Sequence, residues 1–122
     1  MSVSRKIVLT PLQDQAMVPF DNGEEAWMWF SRCQITRHGG ARYTQGLAEF
    51  PRGCDPDDVY RLVMGLYQKK ALVPDHLRVL GSYGYRLTPP NPFDRAEEKD
   101  VALWEEALDK LFGELKEKGL AQ

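Results

Sequence analysis

Residues 55–86 carry two apolar runs of helical period, each opened by a proline where a helix begins. This double signal constrains the fold more than any other feature of the chain. In the first run, Asp55 offers an N-cap and Pro56 suits the first helical position. Asp57 and Asp58 complement the positive end of the helix dipole. Val59, Leu62, Val63 and Leu66 then recur at i, i+3, i+4 and i+7, which puts them on one face. The second run starts at Pro74-Asp75 and reaches about Gly84, with Leu77, Leu80, Gly81 and Gly84 on one side. Asp75, Arg78, Val79, Ser82 and Arg86 fall on the other side, with His76 and Tyr83 beside that stripe. The basic turn Gln68-Lys69-Lys70 joins the two, giving the outline of a helix-turn-helix.

The flanking segments extend the same all-α pattern. Asp21-Asn22-Gly23-Glu24 places an acid three residues after a capping side chain, so a helix is expected from there to about His38, closed by Gly39-Gly40. Its Trp27-Met28-Trp29-Phe30 cluster reads as core rather than as a stacking platform, because aromatic side chains dominate small cores. Asp94-Arg95-Ala96-Glu97 repeats the capping pattern before a final amphipathic helix to about Lys118, stopped by Gly119. Between the last two helices, Leu87-Thr88-Pro89-Pro90-Asn91-Pro92 must be extended, since proline opposes helix and favours polyproline geometry. Residues 1–20 read as an extended arm, with Lys6–Leu9 as a short strand. Residues 41–54 read as a small hairpin or a surface loop. The expected fold is a single all-α domain of four main helices with a proline-rich link before the last. Trp27, Phe30, Leu62, Leu66, Leu80, Trp104, Leu108 and Leu111 should meet in its core.

Charge is unevenly spread along the 122 residues. Residues 32–86 hold nine basic and five acidic side chains, +4, between an N-terminal part at −2 and a C-terminal part at −4. A basic middle can face a polyanion, whereas a whole-chain pI near 5.7 opposes indiscriminate nucleic-acid binding. No apolar run approaches the roughly 18 residues of a membrane span. The N-terminal apolar stretch is shorter than the roughly 7–15 residues of a signal-peptide core. Cys33 and Cys54, 21 residues apart, are therefore expected as reduced thiols in a cytoplasm.

Candidate chemistry is sparse. Cys33, His38, Cys54 and His76 lack the paired short spacing of zinc ligands. The acids at 55–58 are what a proline-opened helix needs anyway, and Cys54 has three aspartates nearby with no evident base. Neither a Gly-x-Gly-x-x-Gly nor a Gly-Lys-Ser/Thr loop occurs. No enzyme activity, metal or cofactor is expected. The basic set Lys69, Lys70, His76, Arg78, Ser82 and Arg86 is of the types that contact phosphates and base edges. The leading expectation is a non-enzymatic regulatory protein that contacts double-stranded DNA through residues 55–86. The rival is an adaptor that binds another protein through the aromatic first helix, the proline-rich link or the acidic last helix.

Several segments also carry a resemblance. Cys54–Tyr60, Leu66–Lys70, His76–Leu80 with Tyr83-Gly84, and Leu103–Leu108, taken with Glu25-Ala26-Trp27, resemble a group of small uncharacterised bacterial helical proteins across most of the chain. The resemblance implies a bacterial cytoplasmic setting. It supplies no catalytic or binding residue, because no activity is established for that group.

Overall fold

The computed structural model describes residues 18–39 and 52–122. Four helices account for most of them: α1 (Gly23–Gly39), α2 (Pro56–Gln68), α3 (Pro74–Tyr85) and α4 (Glu98–Glu117). The strand expected at Lys6–Leu9 lies outside the described residues, as does all but residues 52–54 of the hairpin or loop expected over 41–54. Pro56 and Pro74 open α2 and α3 as the sequence requires.

The helix starts differ in their chemistry. In α2 the Asp55 N–H donates to Asp58 Oδ2 at 3.0 Å, satisfying a group the helix leaves unpaired. In α1 the expected cap shifts by one residue: Glu25 N–H donates to Asn22 Oδ1 at 2.8 Å, and Asp21 N–H donates to Glu25 Oε1 at 2.7 Å. In α3 a histidine takes the acid's place, since Val73 N–H donates to His76 Nδ1 at 3.0 Å. The pattern at Asp94–Glu97 forms a turn instead of a cap. Ala96 N–H donates to Asp94 Oδ1, the Glu97 carboxylate pairs with Arg86 instead of capping, and α4 begins at Glu98.

α1 and α4 form the central pair and each packs against all three other helices, while α2 and α3 scarcely touch each other. The outline of a helix-turn-helix is present, but the two helices are braced by α1 and α4 rather than by one another. One contiguous core results. Seven of the eight expected core residues are buried, and Leu62 is half-buried against them. Phe20, Val59, Val63, Leu72, Val79 and Leu115 join them, nearly or fully excluded from solvent. Phe20 sits 5.4 Å from Trp29, ring to ring. Its N–H donates to Leu120 O at 2.9 Å, which ties the chain before α1 to the chain after α4.

The α3 wheel needs correction. Val79 belongs to the buried face, together with His76 and Tyr83, whereas Gly81 is exposed. Of the two glycines expected to permit close approach, only Gly84 does so: a Cβ there would lie 2.6 Å from Ser31 Oγ and 2.8 Å from Trp27 Nε1. Trp27 Nε1 donates to Leu80 O at 2.8 Å, so α1 and α3 meet through a satisfied polar contact as well as by packing.

Candidate functional site

Of the six basic or polar residues expected to face DNA, five are exposed and one is not. His76 is buried. Its Nδ1 accepts from Val73 N–H, so the ring proton lies on Nε2 and is donated to Glu106 Oε1 of α4 at 3.0 Å. Arg78 donates from Nη2 to Asp100 Oδ1 at 3.1 Å and from Nε to Asp75 Oδ1 at 3.5 Å. Arg86 grips Glu97 with both terminal nitrogens, at 2.8 and 2.7 Å, a bidentate geometry that only a guanidinium offers. Lys69 lies 3.7 Å from Glu114 of α4. Lys70 and Ser82 are exposed. Carboxylates are therefore interleaved with the arginines along α3.

These contacts join into one network that couples α3 to α4. Tyr83 donates its hydroxyl to the buried Asp100 Oδ2 at 2.7 Å, and Arg86 stacks over the Tyr83 ring with its Cζ 4.5 Å from the centroid. The carboxylate next to its hydroxyl pushes the Tyr83 phenol up to about 12. Asp100 is held below the usual carboxylate range, first by the Tyr83 hydroxyl and then by Arg78. Arg86 and the Asn91 N–H bring Glu97 down to about 2.

Arg86 also organises the proline-rich link. Its Nε donates to Thr88 O and its Nη2 to Pro89 O, each at 3.2 Å. From the far side, Glu97 Oε1 accepts Asn91 N–H at 2.8 Å. Leu87 holds a left-handed backbone at φ 57, where a Cβ is unfavourable. On this fixed backbone stand three exposed apolar side chains, Tyr85 at 80%, Leu87 at 40% and Phe93 at 93% exposure. Sequence reasoning singled out none of them. The available signal was an aromatic residue, Phe93, in a segment that proline keeps out of helix and hence off any amphipathic face.

The other two adaptor surfaces fare differently. Trp27, Trp29 and Phe30 are buried, so the aromatic stripe of α1 is core. On α4, Glu106 and Glu114 are occupied by His76 and Lys69. A cavity of about 210 Å³ lies between the start of α1 and α4, lined by Glu24, Trp104, Glu105, Asp109 and Phe112 among others. Trp104 Nε1 donates to Glu24 Oε1 there at 2.9 Å.

The thiols are free, and burial holds both in the protonated form. It raises Cys33, and with Asp58 and Asp55 it pushes Cys54 up to about 11, the reverse of what a nucleophile needs. Among the described residues, no three His, Cys, Asp or Glu side chains gather to hold a metal ion, and no helix is long and apolar enough to cross a membrane. The His38 side chain lies outside the described residues. No family model matches the chain, and neither does any curated protein or solved structure.

Proposed function

We propose that the protein is a non-enzymatic adaptor that binds another protein through the end of α3 and the link that follows it, residues 85–93. The observation that carries this reading is the exposure of Tyr85 and Phe93 on backbone held by Arg86 and Glu97. A single exposed apolar residue is ordinary. Three within nine positions, on a segment already ordered, are different. Aromatic residues supply most of the energy at interface centres, and a pre-ordered segment loses little entropy on docking. A cytoplasmic setting, with Cys33 and Cys54 reduced, belongs to the same proposal.

The geometry favours this reading over DNA contact. Arg78 and Arg86 direct their charge at Asp75, Asp100 and Glu97, so a duplex would have to compete with carboxylates for both. Lys69, Lys70, Arg78, Ser82 and Arg86 nevertheless remain exposed.

Affinity capture with the full chain, compared with a Tyr85→Ser/Phe93→Ser variant of equal thermal midpoint, tests the proposal. A stoichiometric protein held by the parent and lost by the variant is expected. Fluorescence anisotropy against mixed duplex DNA at two salt concentrations runs in parallel. Binding that weakens with salt and disappears when Lys69 and Lys70 are neutralised would overturn the adaptor in favour of DNA, because phosphate contacts release counterions.

A further inference from the structure

Asn91-Pro92-Phe93-Asp94 is a turn by its residue types, with asparagine first and proline, its φ preset, second. The fold closes it: Asp94 N–H donates to Asn91 O at 3.1 Å, and Phe93 N–H donates to Asn91 Oδ1 at 2.9 Å. On its outer sides, Asn91 N–H reaches Glu97 Oε1 at 2.8 Å and Asp94 Oδ1 accepts Ala96 N–H at 2.9 Å. Phe93 stands 93% exposed on this fastened tip. A tip already held loses little entropy when its ring is buried by a partner.

The same chain carries a socket of matching size. The cavity of about 210 Å³ between α1 and α4 has Trp104, Leu108 and Phe112 as its apolar walls. An apolar cavity of about 150 Å³ admits benzene, so a phenyl ring fits. The socket is also preformed. Gly23 sits against the Leu108 carbonyl with no room for a side chain, and Trp104 Nε1 donates to Glu24 Oε1 at 2.9 Å.

Charge matches as well. Glu24, Glu105 and Asp109 rim the socket, and no basic side chain lines it. Glu105 and Asp109 are like charges one turn apart on α4, a mildly repulsive spacing. Among the described residues neither has an ion-pair partner. At the tip, Asp94 and Glu97 are engaged within the chain by Ala96 N–H and Arg86, so exposed Arg95 and Lys99 outnumber exposed Glu98.

We infer that the partner of the link is a second copy of this chain, with Phe93 of one copy seated in the α1–α4 cavity of the other. This rests on the link being a protein-binding surface. Docking takes an exposed ring out of water and brings Arg95 and Lys99 to a rim of carboxylates. Tip and socket are different surfaces, so the contact closes as a reciprocal pair or grows head to tail.

Sedimentation equilibrium of the full chain, from micromolar to millimolar concentration, tests the inference. A mass that rises above the 14.0 kDa monomer is expected. Phe93→Ser, at an exposed position, should weaken association at least about tenfold. Glu105→Lys/Asp109→Lys, which reverses the rim at two exposed positions, should do the same. Mixed together, the two variants should associate one to one, because the first keeps its socket and the second its tip. A constant monomer mass at millimolar concentration overturns the inference. So does association that either variant retains in full, or a mixture of the two that stays monomeric. Each of these failures leaves the adaptor reading standing where capture of a different protein still depends on Tyr85 and Phe93. Capture indifferent to those two residues, without self-association, removes both.

Discussion

The turn after α2 and the turn after α3 are built on the same backbone motif and anchored by opposite means. In each, the second residue past the helix is left-handed without being glycine: Lys70 at φ 66 and Leu87 at φ 57. In each, two backbone amides return to the last helical turn. Lys70 and Ala71 donate to Tyr67 O and Leu66 O, while Leu87 and Thr88 donate to Gly84 O and Tyr83 O. This is the Schellman arrangement, which also closes α4, where Gly119 donates to Lys116 O and Leu120 to Leu115 O.

Beyond that motif the two turns diverge. After Lys70 the chain dives inward, and Leu72 is almost fully buried, so apolar packing holds the turn. After Leu87 the chain runs outward through exposed Thr88 and Pro89, and the Arg86–Glu97 pair holds it. Burial anchors one turn and leaves its lysines on the surface. Charge anchors the other and leaves its apolar side chains there. What a turn displays is the complement of what fixes it.

The largest test of this contrast is Leu66→Ala, which removes a buried side chain beneath the first turn and should cost about 2–5 kcal/mol. An unchanged urea midpoint would mean that packing does not hold that turn. Next is Tyr83→Phe, which deprives the buried Asp100 of a hydroxyl donor and should cost about 1–3 kcal/mol. Equal stability of parent and variant in denaturant would remove Tyr83 from the second turn's support.

The second turn alone should be acid-sensitive. Glu97 has a folded pKa lowered from 4.5 to about 2, so its contribution is complete above pH 4.5 and fades as pH falls through 2. Glu97→Gln should lower stability at neutral pH and flatten the stability profile across that window. A profile as steep as the parent's would place the acid-sensitive group elsewhere.

Smaller effects sharpen the comparison. Lys70→Gly and Leu87→Gly should each stabilise by about 0.5–1 kcal/mol, because glycine accepts the left-handed conformation without a Cβ penalty. If only one responds in thermal melts, the turns are not equivalent even in backbone strain. Lys69→Ala should change stability by less than about 0.5 kcal/mol, since its 3.7 Å pairing with Glu114 is exposed at the lysine. A larger loss would make charge important to the first turn as well.

Legibility in the sequence tracked the range of the interactions involved. The openings at Pro56 and Pro74 and the stop at Gly119 were readable because each is settled within a few residues. The matching stops at Lys70 and Leu87 were invisible, since neither residue type advertises a left-handed conformation. Periodicity identified most of the core but misplaced Val79, His76 and Tyr83. Between them, α1 and α4 cover a wider arc of α3 than a single apolar stripe suggests.

Four helices and most of their ends were readable from the chain alone, because capping chemistry, ring-locked φ and 3.6-residue periodicity are local properties. The link expected to be extended over residues 87–92 instead opens on left-handed Leu87 and ends in a turn where Asp94 N–H donates to Asn91 O. What the arginines do is set by the packing of the helices. Arg78 meets Asp100 and Arg86 meets Glu97 because α3 packs against α4, and His76 reaches Glu106 for the same reason. A charged side chain read in sequence looks available. Whether it is depends on which carboxylate the fold brings within about 3 Å, and that is settled by the packing of helices distant in the chain.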